Sequence, residues 1–325
     1  MAVKLGGGGN SLQEYDSKGK YTEGSSSGQS YNIKTKIKPY LNLELNDEET
    51  TVETIENLPR YHNGKKRESW DDLSDSEKEY YYDTYFNQYG KQMQEIQEAS
   101  LIPTSDITEP ERLQMRKDWI DEEIGKQIFE SDIPKRKEHK AYIVLGQPAS
   151  GKSTISKDIM DNNGAFVVDA DNMKEYIPEF HDRKTNEYYK ENVSKVHKES
   201  VDLSNEMLDK LITDGSNLVI GKVGGSSQLE LLKKLVANGY KDVYVCYVDV
   251  PMQVSIERNI DRYEKGRTNR LINFDTITWS EGKIEKTFLE LINKKEVKGG
   301  VVYSNDVPYG SPMEKIGEYK DIKGM

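Results

Sequence analysis

Hydrophobic positions fall into three regimes along the chain. Up to about residue 38 they are sparse and without period, among glycines at 6–9 and a Gly-Ser-Ser-Ser-Gly run at 24–28. Such a segment buries too little to order itself and is expected to be unstructured. Residues 39 to about 67 are mixed, with weak strand character at 40–45. From Ser74 the spacing turns helical: Ser74-Asp-Ser-Glu77 has the form of a capping box, and Tyr81, Tyr82, Tyr85, Phe86, Tyr89, Met93 and Ile96 follow as a packing stripe up to Pro103. A second capping box, Thr108-Glu-Pro-Glu111, opens a helix with Leu113, Trp119, Ile120, Ile124 and Ile128 on one side. The basic cluster Lys135-Arg-Lys137 follows as a solvated connector.

After residue 140 short apolar runs alternate with long helical patterns. Strands are expected at 142–145, 166–169, 218–220, 243–250 and 301–303, and helices at 188–212, 228–237, 252–263 and 276–293. Strands joined through helices imply right-handed crossovers and a parallel sheet covered on both faces. The expectation is an α/β, three-layer domain with a five-stranded parallel sheet over residues 109–325. A helical N-terminal region of unassigned role (39–108) and a low-complexity segment (1–38) precede it.

One string gives this architecture a chemistry. The run ending at Leu145 is followed by Gly146-Gln147-Pro148-Ala149-Ser150-Gly151-Lys152-Ser153-Thr154, which is Gly-x-x-x-x-Gly-Lys-Ser between a strand and a helix. Its glycines let main-chain amides curl around a polyphosphate, and the following helix turns its positive end toward it. Lys152 is placed to reach the β- and γ-phosphates and Ser153 to hold Mg²⁺, so the chain is expected to bind ATP or GTP.

Composition narrows the partners. A net charge of −11 argues against a general nucleic-acid binder. The single cysteine, Cys246, excludes an internal disulfide, and the four histidines lack zinc-site spacing. No apolar run near membrane-spanning length and no signal peptide is visible, so a soluble, cytoplasmic protein is expected.

Two further clusters bear on catalysis. The second strand runs into Asp169-Ala-Asp171-Asn172-Met-Lys174, at the sheet edge where ligands bind in parallel α/β folds. One aspartate can support Mg²⁺ and the other can accept a proton from an attacking hydroxyl; Asp171 can equally cap the short helical run after it. Arg267 and Arg270 lie in a glycine-containing, non-periodic piece between two helices, as the arginines of a closing lid do. Arg258 and Arg262, beside Glu257, Asp261 and Glu264, read as surface ion pairs. The guanine-reading string Asn-Lys-x-Asp of switch GTPases is absent.

Over residues 110–305 the chain resembles the zeta toxin family of phosphate-loop kinases. The resemblance is carried by Gln147-Pro148 inside the loop, Asp169-Ala-Asp171 with Lys174 and Pro178-Glu-Phe180, and Val196-His-Lys-Glu199-Ser200 on the long helix. The approach to the third strand at 214–220, Gly266-Arg267 and the amphipathic helix around 119–129 add to it. The resemblance implies phosphorylation of a hydroxyl on a nucleotide sugar such as UDP-N-acetylglucosamine, as a toxin acts, or alternatively of a ribose hydroxyl of NAD. It implies Asp171 as the base, Lys152, Arg267 and Arg270 around the migrating phosphoryl, and Ser153 and Asp169 at the metal. Asp169, Glu199 and Ser200 then line the acceptor, and an antitoxin protein is a possible partner; Lys222, which is not part of the family pattern, can pair with an acceptor phosphate or alternatively stand in for part of a metal's charge. The chain departs from the family after the third strand: Gly221-Lys222-Val223-Gly224-Gly225-Ser226 stands where an acidic residue and Gly-Thr-Gly are usual. With that acid gone, the alternative is a nucleotide-binding interaction protein with an inert core, its role carried by residues 1–135.

Overall fold

The computed structural model describes residues 109–180, 196–225, 227–264, 272, 274–307 and 311–320, with short pieces at 3–6, 12–15, 21–22, 61–62, 65–66, 74–76, 78–80 and 83. Helix α1 (Pro110–Phe129) leads into strand β1 (Lys140–Gly146), α2 (Lys152–Asn163) and β2 (Phe166–Val168). Then come α3 (Ala170–Lys174), a 3₁₀ turn (Pro178–Phe180), α4 (His197–Thr213) and β3 (Leu218–Lys222). The chain continues through α5 (Ser227–Ala237), β4 (Asp242–Asp249), α6 (Met252–Glu264), α7 (Phe274–Ile292), β5 (Val297–Ser304) and β6 (Glu314–Lys320).

The sheet order is β6-β5-β4-β1-β3-β2. The five expected strands are present and mutually parallel, and β6 adds a sixth, antiparallel to β5. The sequence did not mark β6 because only part of 314–320 (Glu-Lys-Ile-Gly-Glu-Tyr-Lys) is apolar, as befits an edge strand.

Side-chain alternation divides the core. Ala141, Ile143, Leu145, Val243, Val245 and Tyr247 pack with α4, α5 and α7 residues such as Leu203, Leu211, Leu235 and Phe288. Their alternates Tyr142, Val144, Tyr244, Cys246 and Val248 pack with Ile155 and Ile159 of α2. Strands buried on both faces read as continuous apolar runs, which is why β1 and β4 were easy to find.

Helix α1 differs from its expected form. Glu109 is the cap and Pro110 the first helical residue, with no side-chain capping bond; Thr108 lies outside the described residues. Leu113 is 44% and Ile128 54% exposed, while Arg112, Arg116, Ile120, Glu123 and Gln127 are buried. Of the expected apolar side, Ile120 is buried and Trp119 and Ile124 pack against the core, so the inner face is mixed, with four polar residues beside the central apolar ones. Along it, the Gln127 amide donates to Val167 O and accepts from Val167 N–H, both at 2.8 Å. A helix side chain thus occupies the open flank of edge strand β2, as another strand would.

Lys135, expected in water, donates to Ala165 O at 2.8 Å and lies over the Phe166 ring. In the N-terminal region, Val3–Gly6, Leu12–Tyr15 and Tyr21–Thr22 pair antiparallel where no structure was expected, because short alternating runs suffice for a ladder. The Ser74 helix is present in part, with Lys78 N–H bonded to Ser74 O; Glu77, the weak strand at 40–45 and the aromatic stripe from Tyr81 lie outside the described residues.

Replacing Gln127 with Ala removes both bonds and strands a backbone N–H. Loss of about 1–3 kcal/mol of stability is expected, read as a lower urea midpoint.

Candidate active site

The loop between β1 and α2 is shaped by its main chain. Gly151 sits at φ 98°, in the left-handed region, and a β-carbon there would collide with Met313 Cε and Asn305 Nδ2. A β-carbon on Gly146 would meet Ser150 Oγ at 2.5 Å and Val248 O at 3.0 Å. Both glycines are therefore required by crowding around the loop. Ser150 is fully buried, and its hydroxyl has no hydrogen-bond partner among the described residues. Lys152 folds back to donate to Gly146 O and Gln147 O, each at 2.7 Å. Ser153 and Thr154 are exposed at the start of α2.

The loop is braced from outside. Asn305, just past β5, donates to Ser150 O at 2.6 Å, and Ser255 of α6 donates to Pro148 O at 2.6 Å. Arg258 donates to Asn305 O at 2.8 Å and Val307 O at 2.9 Å, so it is a half-buried anchor rather than the expected surface ion pair. Burial, reinforced by Arg262, lowers its guanidinium pKa. A cavity of about 650 Å³ opens here, lined among others by Gly151, Thr154, Arg258, Arg262, Asn305 and Met313.

The paired aspartates stand on the neighbouring strand. Residues 168 and 220 are in register, so β2 delivers Asp169 beside the end of β3. Asp169, not Asp171, caps α3: its Oδ1 accepts from Asp171 N–H at 2.9 Å. Asp171 is therefore released to the first turn, with its side chain 48% exposed, and its Oδ1 accepts from buried Lys174 at 2.6 Å. Lys222 ends β3 opposite Leu145, the residue before the phosphate loop. Burial pushes its ammonium below the ordinary lysine pKa, and the Asp169 carboxylate counters part of that effect. A β-carbon at Gly221 would lie 3.5 Å from Asp169 Oδ2, so the carboxylate stands beside the end of β3. The altered loop then turns through Gly224 at φ 76°, where any side chain would press on Ile284, and Gly225 N–H bonds Thr287 Oγ1 of α7.

Loop, aspartates and Lys222 thus meet at one sheet edge, whereas two other expected residues are engaged within the protein. Glu199 accepts from Arg112 Nε at 2.9 Å and Nη2 at 2.6 Å, and Ser200 is buried and donates to His197 O. Arg267, Arg270 and Ser226 lie outside the described residues. The sequence offered no sign of Arg112, Arg116 or Glu123. Arg112 also binds Glu179 at 2.9 Å, and its guanidinium lies over Trp119. Arg116 binds Glu206 at 2.5 Å, and Glu123 accepts from Tyr176 Oη at 2.8 Å and Asn172 Nδ2 at 3.3 Å.

A magnesium ion would find one hydroxyl and one carboxylate in Ser153 and Asp169, and no cluster of three or more His, Cys, Asp or Glu forms among the described residues. That sparse set fits Mg²⁺, which takes one or two carboxylates and completes its shell from phosphates and water. Among the described residues no helix is long and apolar enough to cross a membrane.

The zeta toxin family model matches residues 125–308. No curated protein sequence matches the chain. Among solved structures, the PezAT toxin–antitoxin system of Streptococcus pneumoniae aligns at 17% identity over 63% of this chain and 81% of that one, with a TM-score of 0.46. The AvrRxo1-ORF1:-ORF2 complex with ATP aligns at 14% identity over 65% and 68%, with a TM-score of 0.49. Shikimate kinase from Acinetobacter baumannii aligns at 17% identity over 53% and 87%, with a TM-score of 0.30.

The Lys222 charge is expected to oppose folding. Between its lowered folded pKa and the ordinary lysine value, the unfolded chain holds more protons at this site, so stability rises with pH across that window. Lys222→Met is accordingly expected to raise the urea midpoint near neutral pH, the advantage shrinking as pH climbs toward the lysine range.

Proposed function

The chain belongs to the zeta toxin family and is a phosphate-loop kinase, and we propose that it transfers the terminal phosphoryl group of ATP to a hydroxyl of a pyrophosphate-containing small molecule, acting as a toxin. The observation supporting this most directly is the meeting of three features at one sheet edge: the loop at 146–153, the half-exposed Asp171 carboxylate and the partly buried Lys222 ammonium.

In the proposed reaction the amides of 146–153 cradle the phosphates. Lys152 leaves the Gly146 and Gln147 carbonyls for the phosphate oxygens. Ser153 and Asp169 hold Mg²⁺, which when bound neutralises charge on the phosphates. Asp171 accepts the proton of the acceptor hydroxyl as its oxygen bonds to the γ-phosphorus. The bond from that phosphorus to the bridging oxygen breaks, and ADP leaves. Lys174, holding Asp171 Oδ1, orients the carboxylate. Arg267 and Arg270 are proposed to close over the phosphoryl group.

Lys222 is proposed to pair with the acceptor's pyrophosphate, an anion that justifies an ammonium held against its desolvation. UDP-N-acetylglucosamine and NAD both carry that group, so the nucleotide sugar is the first candidate and the dinucleotide the second. Glu199, whose carboxylate Arg112 already holds, is proposed to act at the acceptor only through that pair; Ser200 supports the helix beneath it. Family membership also supports an antitoxin protein as partner.

Lys152→Ala is expected to weaken ATP binding at least tenfold. Asp171→Asn should keep ATP affinity within threefold while lowering transfer about 10²–10⁴-fold. Labelled ATP incubated with UDP-N-acetylglucosamine or NAD reads both effects, GTP serving as the rival donor. Full transfer by Asp171→Asn removes the base assignment, and tight ATP binding without transfer to either acceptor overturns the proposed acceptor class.

A further inference from the structure

We infer that α1 is a splint for the acceptor half of the site, with Arg112 as a positioning residue for Asp171. The inference rests on the kinase function proposed above. It goes beyond the matched region, which begins at residue 125, after Arg112, Arg116 and Glu123.

The buried face of α1 grips one segment repeatedly. Gln127 holds Val167, Glu123 holds Asn172 and Tyr176, and Arg112 holds Glu179. Those contacts bracket Asp169, Asp171 and Lys174 on both sides. The same Arg112 clamps both carboxylate oxygens of Glu199 in the first turn of α4, and Arg116 reaches Glu206 two turns further on. The 3₁₀ turn after α3 and the start of α4 are thereby tied through a single guanidinium.

That guanidinium is buried, and its two carboxylates hold it firmly in the charged state: burial opposes the charge, but the Glu199 and Glu179 bonds outweigh it and raise its pKa. A bidentate arginine fixes direction as well as distance, which a hydrophobic contact does not. Among the described residues α1 packs against β2, α3 and α4, so the splint is expected to act on the acceptor half and to leave nucleotide binding unchanged.

The test compares wild-type enzyme with Arg112→Gln, Arg112→Lys and Glu179→Gln in the full chain. ATP affinity, kcat, acceptor KM and amide hydrogen exchange are measured. For Arg112→Gln, ATP affinity is expected to stay within twofold and kcat to fall at least tenfold. Exchange over 167–180 should accelerate at least tenfold while 141–146 and 218–222 are unchanged. Arg112→Lys should recover part of kcat. Glu179→Gln, which keeps the Glu199 pair, should show a smaller acceleration confined to the same segment, and it decides the matter if Arg112→Gln does not fold. Unchanged kcat and exchange, or acceleration spread evenly over the whole sheet, overturns the splint. If wild-type enzyme transfers phosphate to no acceptor, the proposed kinase acceptor has failed, and the exchange pattern alone still judges α1.

Discussion

The parallel pairing of β1 with β3, and of β3 with β2, is the constraint on which the site depends. It sets Leu145 against Lys222 and Val168 against Ile220. The phosphate loop, the lysine and the first aspartate therefore leave the sheet at one level. A slip of one residue in either pairing would turn alternate side chains to the opposite face and exchange the two halves of the core. The packing that forbids such a slip, Ile143 and Leu145 on one face and Tyr142 and Val144 on the other, is thus also what aligns the chemistry.

Around that edge the protein keeps several polar groups out of water. Arg112 with its two glutamates, Lys174 with Asp171, and Lys222 near Asp169 each carry a desolvation penalty that their partners offset only in good geometry. Hydrophobic replacements would serve folding at least as well. Their concentration between β2, β3 and α4 fits a region selected for where charges point rather than for stability.

What the sequence made legible followed from local rules. Buried parallel strands are continuous apolar runs, and a phosphate loop is a fixed string, so β1, β4, α2 and residues 146–154 could be located directly. Asp169 and Asp171 were visible because they end a strand. The roles of α1 were not. Its apolar residues correctly suggested Trp119, Ile120 and Ile124 as inner positions but also Leu113 and Ile128, and the partners that draw Arg112 and Arg116 inward instead, Glu199 and Glu206, lie far along the chain. Arg258 was misjudged for the same reason: neighbouring acids on its own helix looked sufficient, while the carbonyls it binds follow β5. Periodicity reports which face is apolar, but not when a polar face finds buried partners elsewhere.

The Gln127 amide has a consequence for how the molecule meets other chains. A bordering strand normally offers its peptide groups to any extended segment that arrives, and sheets lengthen into aggregates that way. At Val167 those groups are already taken by a side chain from the same molecule. This flank of the sheet is sealed, and among the described residues the sheet's other border is β6, on the far side.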